Sequence, residues 1–271
     1  MGIHVSVDSQ ALLRLVMSFL LVATTLACQA AGVVSPAKFG AVGDGETDDT
    51  RAIQAALDEA GKGSYEVELT PGQYVISGTL VIPNSVTLRG TGPRWEQSSV
   101  ALVIKQPGFH AVELRHASCV KGVAFRYPNN LDQKTPAQYP AAILLNGINP
   151  SVEQVSFAGA WIGISTPEEG GNTGQALFRD INGLCHHIGI RLDGILDIVR
   201  IENVHWFPAG PTGDDDYFRN NLTGFVLGRV DGLLMTKCFM IFGKAFVHQL
   251  AKTAKGDPAH SLELKFHQCY C

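Results

Sequence analysis

The chain repeats itself. Four segments, starting at Ala111, Ala142, Gly189 and Gly224, carry an apolar-x-apolar pair, a short gap, and alternating apolar residues ending in a large one. Equivalent leucines fall at Leu114, Leu145, Leu192 and Leu227, spaced by 31, 47 and 35 residues. The wide middle gap holds another coil-like stretch, Trp161 to Ile164 and Ala176 to Ile181. Period-2 alternation makes each run a strand with one buried face. Each run is too short to bury that face alone, so successive units must stack and share a core. Gly, Asn and Pro turns without crossover helices point to an all-β solenoid and not to an α/β sheet. A β-sandwich also has short alternating strands, but it would not return the same large apolar residue at the same phase of each unit.

One helix is signalled, and it comes first. Thr47-Asp48-Asp49-Thr50 supplies a capping residue and carboxylates at a helix start. Ile53, Ala56, Leu57 and Ala60 share a face, Arg51, Asp58 and Glu59 point away, and Gly61 and Gly63 stop the run. Such a helix would cap the open end of the apolar core.

The N-terminus reads as an export signal. Arg14 is followed by an almost wholly apolar run from Leu15 to Leu26, then by small residues at Cys28, Ala30 and Ala31. The run is too short to span a bilayer, so a cleaved leader over 1–30 is expected, with one domain over 31–271 and no membrane span. A lipoprotein start at Cys28 is weaker, because Thr25 stands where Leu is usual. The destination is then periplasmic or extracellular. Net charge is −4, from 21 basic and 25 acidic residues, with no basic stripe of the kind nucleic acid requires. Cys119, Cys185 and Cys238 lie in strand text and read as small core residues, although export would permit a disulfide. Strand text runs to Phe266 and stops at Cys271 without a cap, so a C-terminal truncation, or a partner over that end, is expected.

Phe39-Gly40-Ala41-Val42-Gly43-Asp44-Gly45-Glu46-Thr47-Asp48-Asp49-Thr50-Arg51-Ala52-Ile53-Gln54 resembles the entry segment of the pectin-lyase-like superfamily. The runs 67–76 and 80–90 are similar to that family's first two coils. The resemblance implies a right-handed parallel β-helix with an N-terminal capping α-helix, and a polysaccharide as partner. Asp44, Asp48 and Asp49 read as turn and helix caps, and not as a metal or catalytic site. Enzymes of this architecture work in a groove along one outer face.

With Ile190 and Leu192 inward, alternation points Arg191 and Asp193 outward, followed by Asp197, Arg200, Glu202 and His205. A glycoside hydrolase needs two carboxylates with separated roles, for which Asp193 and Asp197 are the candidates. A lyase needs a base near the C5 proton of a uronic acid and a cation for its carboxylate, roles open to His205 and Arg191. Asp215, in the run Gly213-Asp214-Asp215-Asp216, is a further acid, with Tyr217 and Arg200 as sugar-binding candidates. That run could equally be a plain acidic turn, and the other charges a solvated face. No cofactor is required, and Ca²⁺ enters only for a lyase. The polygalacturonase pattern of Asn-Thr-Asp, Gly-His-Gly and Arg-x-Lys has no counterpart here. The two readings are an exported enzyme cleaving polysaccharide and a non-catalytic, tailspike-like binding scaffold.

Overall fold

The structure is a computed structural model describing residues 32–90, 99–131, 135–207 and 215–271. The expected export signal and Cys28 lie outside the described residues, as do Gly213 and Asp214. Among the described residues of the unit Val33–Cys271, 19 strands form one curled sheet, paired in parallel. The result is a right-handed parallel β-helix closed at its start by an α-helix.

Each rung visits three faces. Face A stacks Glu66–Glu68, Thr87–Arg89, Cys119–Lys121 and Ser151–Glu153, then 177–179, 200–202, 234–236 and Leu264–His267. Face B stacks Asp44–Asp48, Gly72–Ile76, Val100–Ile104 and Ala124–Arg126, then 156–158, 182–184, 205–206 and Phe239–Met240. Face C stacks Leu80–Ile82, Val112–Leu114 and Ile143–Leu145, then 164–165, 190–192, 225–227 and 247–249.

Register converts the repeat into columns. On face A, Val67, Leu88, Val120, Val152, Phe178, Ile201 and Met235 lie one above another, all buried. On face C, the Leu114–Leu145 and Leu192–Leu227 pairs stand in direct register, and Ile164 fills the middle coil between Ile143 and Ile190. Most of the strands are only two to five residues long, and none could hide these side chains alone. Stacking hides them completely.

The corner between faces A and B is a column too. Gly122, Gln154, Asp180, Asn203, Lys237 and Gln268 all have positive φ, from 51° to 67°. From Gly122 onward, one left-handed residue at this corner of each rung turns the chain sharply while keeping both flanking strands in register.

Helix α1 (Thr50–Ala60) buries Ile53, Ala56, Leu57 and Ala60, as its periodicity demands. Its start differs from the expected cap. Asp49 stands at the N-cap but turns its carboxylate back to accept the N–H groups of Val42 (2.7 Å) and Gly43 (3.0 Å). Asp48 instead accepts the N–H of Thr50 at 3.0 Å, and Asp44 accepts those of Glu46 and Thr47. The acidic cluster therefore ties the entry loop to the helix. Cys185 and Cys238 are buried as read, whereas Cys119 points outward from face A and is half-buried.

Phe178→Ala is expected to destabilise the protein by about 3–5 kcal/mol, because it leaves a gap inside a continuous column. Gln154→Gly should instead stabilise it by up to about 1 kcal/mol by relieving a left-handed residue. Denaturant titration of both variants checks the pair.

Candidate functional site

The residues singled out from the sequence do not converge. The run 189–206 is not one strand: it bends at Gly194 (φ 83°) and again at Asn203 (φ 55°). Arg191 keeps an outward position on face C, in register between Ser165 and Val226. Arg200 lies on the outer side of face A, next to Leu177 and Leu234. His205 lies on the outer side of face B, edge-on to Phe207 and Phe239. Asp197 is exposed at the irregular start of the strand Ile195–Trp206, between faces C and A, where its carboxylate accepts Gln175 Nε2–H at 2.8 Å and Ile198 N–H at 2.7 Å. These bonds hold its pKa below the usual carboxylate value.

Asp193 alternates outward as read, but it is covered and only 2% exposed. Its Oδ1 accepts the N–H of Arg229 (2.9 Å) and its Oδ2 that of Ala254 (2.5 Å), while its own N–H donates to Thr166 Oγ1 (2.9 Å). It lines a small cavity of about 200 Å³ with Arg229, Lys255 and Asp257. Both carboxylate oxygens thus serve as acceptors for loop backbone. Asp193 and Asp197 share no hydrogen-bond partner and are placed differently, one under a loop and one in solvent. Asp215 opens α2 (Asp215–Asn221), and its side chain lies outside the described part. Tyr217 sits on α2, half-buried, with its ring edge-on to His186 at 6.0 Å.

A larger groove, of about 510 Å³, runs over the outer side of face C. Leu144 and Ser165, both outward on their strands, form its floor. Trp161, His110, Tyr139, Asn146, Glu168 and Glu169 also line it. The loops between faces B and C and between faces C and A supply most of these residues. Trp161 stacks on His187, with ring centroids 4.8 Å apart and planes at 21°. His110 Nδ1 lies 3.1 Å from the Ala141 carbonyl, so its Nδ1–H donates there. Asn146 Nδ2 donates to Glu113 Oε1 at 2.7 Å, and Tyr139 O–H donates to the Lys105 carbonyl at 3.4 Å. On the next rung, Arg191 Nη1 lies 4.0 Å from Glu168 Oε1. Among the candidates named from sequence, Arg191 adjoins this groove beside Glu168, and Asp193 touches its Thr166 through a main-chain N–H. Trp161, His187, Glu168 and Glu169 were missed. The available signal was an aromatic at an outward phase beside two long inserted loops.

The two adjacent histidines face opposite ways. His187 is half-buried; burial, helped by the Lys244 charge, lowers its pKa against the bond to Asn221. The shift favours the neutral imidazole. His186 is buried, stacks on Phe218 at 5.7 Å, and donates Nε2–H to the Asn130 carbonyl at 3.0 Å. Burial pushes its pKa down to about 4, against that same bond. Among the described residues, no group of three His, Cys, Asp or Glu comes together as metal ligands. No described helix is long and apolar enough to cross a membrane.

Residues 33–101 match the family model for rhamnogalacturonase A/epimerase, pectate lyase-like proteins. Alginate lyase 7 of Azotobacter vinelandii is 48% identical over 62 residues, which is 20% of this chain and 7% of that protein. The chain thus spans under a tenth of that relative's length. Gene product 12 of bacteriophage phi29 superposes with a TM-score of 0.62 at 14% identity, covering 92% of this chain and 34% of that one. The Dettilon tailspike protein gp208 gives 0.54 at 18% identity, covering 77% and 43%. The fold is related to that of pectate-lyase, epimerase and tailspike proteins. The family match ends before the groove begins, so no residue role is carried over by it.

Asp193→Ala is expected to cost about 1–3 kcal/mol, because two loop N–H groups lose their acceptor, while Asp197→Ala should stay within about 0.5 kcal/mol. A pH titration tests His186. Its pKa falls from an ordinary 6.5 to about 4 on folding, so between those values the unfolded chain holds the extra proton. Stability should therefore be complete above pH 6.5 and decline on acidification towards pH 4. His186→Phe should flatten that decline.

Proposed function

We propose that the protein is an exported, carbohydrate-active β-helix that takes a polysaccharide chain along the outer side of face C, centred on Trp161. The observation that carries this reading is the partly exposed Trp161 ring, braced by His187 at the edge of a groove lined with hydrogen-bonding groups. Sugar rings offer flat C–H faces to an aromatic and hydroxyls to the groups around it. A concave site with an aromatic and a few placed polar groups is suited to that ligand. A groove on the side of a solenoid is also open along its length, so a polymer can pass through it.

The finer reading is cleavage, and elimination is favoured over hydrolysis. Abstraction of the C5 proton of a uronic acid needs a base, and half-burial of His187 favours its neutral, proton-accepting form. The adjacent carboxylate needs a cation, and Arg191 lies four residues along the same strand. Hydrolysis needs one protonated and one ionised carboxylate. Asp193, the strongest sequence candidate for such a pair, has both oxygens engaged by backbone N–H groups.

The test is a panel of neutral and uronic-acid glycans presented to the purified protein. Binding to at least one is expected, with Trp161→Ala weakening it at least about tenfold at unchanged circular dichroism, roughly 1.4 kcal/mol. Ultraviolet-absorbing unsaturated ends, lost in His187→Ala and Arg191→Ala, would support elimination, and EDTA added to the same assay reads any part played by calcium. Reducing ends without that absorbance would replace it with hydrolysis. If glycans bind as tightly to the Trp161 variant, or none binds at all, the site is elsewhere or the reading is wrong.

A further inference from the structure

Two thiols stand one above the other on adjacent rungs. The ladder pairs Thr236 with His267 and, past the corner, Phe239 with Tyr270. Cys238 is thereby in register with Cys269. Both rungs turn this corner alike, with Lys237 at φ 53° and Gln268 at φ 51°. Main-chain bonds hold the rungs together on either side, Lys237 N–H to His267 O at 3.0 Å and Tyr270 N–H to Cys238 O at 2.9 Å.

The sulfurs also repeat each other's surroundings. Cys238 Sγ lies 3.3 Å from Thr236 O and 4.0 Å from Ile201 O, one rung back. Cys269 Sγ lies 3.6 Å from His267 O and 3.7 Å from Met235 O, again one rung back. Since Ile201 and Met235 are themselves paired, the two side chains point the same way. Each thiol is in contact with the other, and this contact, after burial, helps push Cys238 up to about 12. Neither of the other cysteines in strands has such a neighbour, since Cys119 pairs with Thr87 and Ser151, and Cys185 with Ala160.

We propose that Cys238 and Cys269 are the site of a disulfide that staples the rung of 264–270 to the rung of 234–240. Neighbouring strands lie about 4.8 Å apart, within the range of roughly 4.4–6.8 Å that a disulfide spans between Cα atoms. The stack therefore needs side-chain rotation and little backbone movement. The oxidant is a small-molecule disulfide such as oxidised glutathione. Cys269, the more accessible thiol, loses its proton and attacks one sulfur of the oxidant, releasing one glutathione thiolate and forming a mixed disulfide. The Cys238 thiolate then attacks the Cys269 sulfur and releases the second. Two protons and two electrons leave the protein, one S–S bond forms in it, and one is broken in the oxidant.

On this rung Phe266 is exposed, whereas its counterpart Met235 on the preceding rung is buried in the column. The link would confine any local opening of the rung of 264–270.

The experiment uses the full chain, equilibrated with oxidised glutathione or with dithiothreitol, then unfolded, alkylated and peptide-mapped. A Cys238–Cys269 linked peptide is expected in the oxidised sample, and equally in Cys271→Ser. Amides of 264–270 should exchange at least about tenfold more slowly in the oxidised protein, and Cys269→Ser should lose that difference while keeping the circular dichroism of the parent. Quantitative alkylation of Cys238 after oxidation would overturn the proposal. So would a bridge from Cys269 to Cys271, or one joining two chains.

Discussion

Everything in this protein hangs on the parallel main-chain ladder between one rung and the next. It sets a spacing of about 4.8 Å, and every residue must then live directly above and below its counterparts. On the inner side this turns short apolar runs into the continuous Val67-to-Met235 column. At the corner between faces A and B it is met, from Gly122 onward, by one left-handed residue at the same position of each rung. On the outer side it leaves grooves whose floors are built of strand residues and whose walls are built of loops. The groove on face C follows from that division: Leu144 and Ser165 are fixed by the ladder, while Trp161 and Glu168 are added beside it.

The parts of the fold that obey periodicity were legible. The leucine phase predicted a stacked column, and the Ile53-to-Ala60 face predicted the cap, because both depend only on spacing along the chain. The corners were not. Gly122 announces a left-handed turn, but its equivalents are Gln154, Asp180, Asn203, Lys237 and Gln268, which carry no common signal. Without the corner at Asn203, the run from Asp197 to His205 reads as one outward row. With it, Arg200 and His205 belong to different faces. The cover over Asp193 was equally unreadable, since Ala254 supplies it from 61 residues away.

The same spacing explains why charge density was a poor guide to the site. An outer column brings ionisable side chains within reach of each other from rung to rung, so most neighbours on it are of opposite sign. Glu68 and Glu66 meet Arg89, and Glu153 meets Arg179 and stands beside Lys121, with Arg89 next to Lys121 as the like-charged step. These exposed pairs add little stability individually, but like charges stacked in register would repel. A dense ionisable run is therefore the ordinary dress of a β-helix face. Glu202, next to Arg179 on that ladder, belongs to it.

A better guide follows from asking what the ladder does not require. The outer columns need only residues that tolerate their vertical neighbours, and an aromatic ring there gains little unless something covers it. Trp161 is outward, partly exposed and propped by His187, which itself sacrifices solvation to sit half-buried. Neither residue caps, turns or pairs a rung. His186, one residue earlier, shows the contrast: it is fully enclosed against Phe218 and bonded to Asn130, so the loop and α2 account for it. Two neighbouring imidazoles, one enclosed in the interior and one half-buried beneath a partly exposed ring, mark where the interior ends, and the search for chemistry belongs on the outer side.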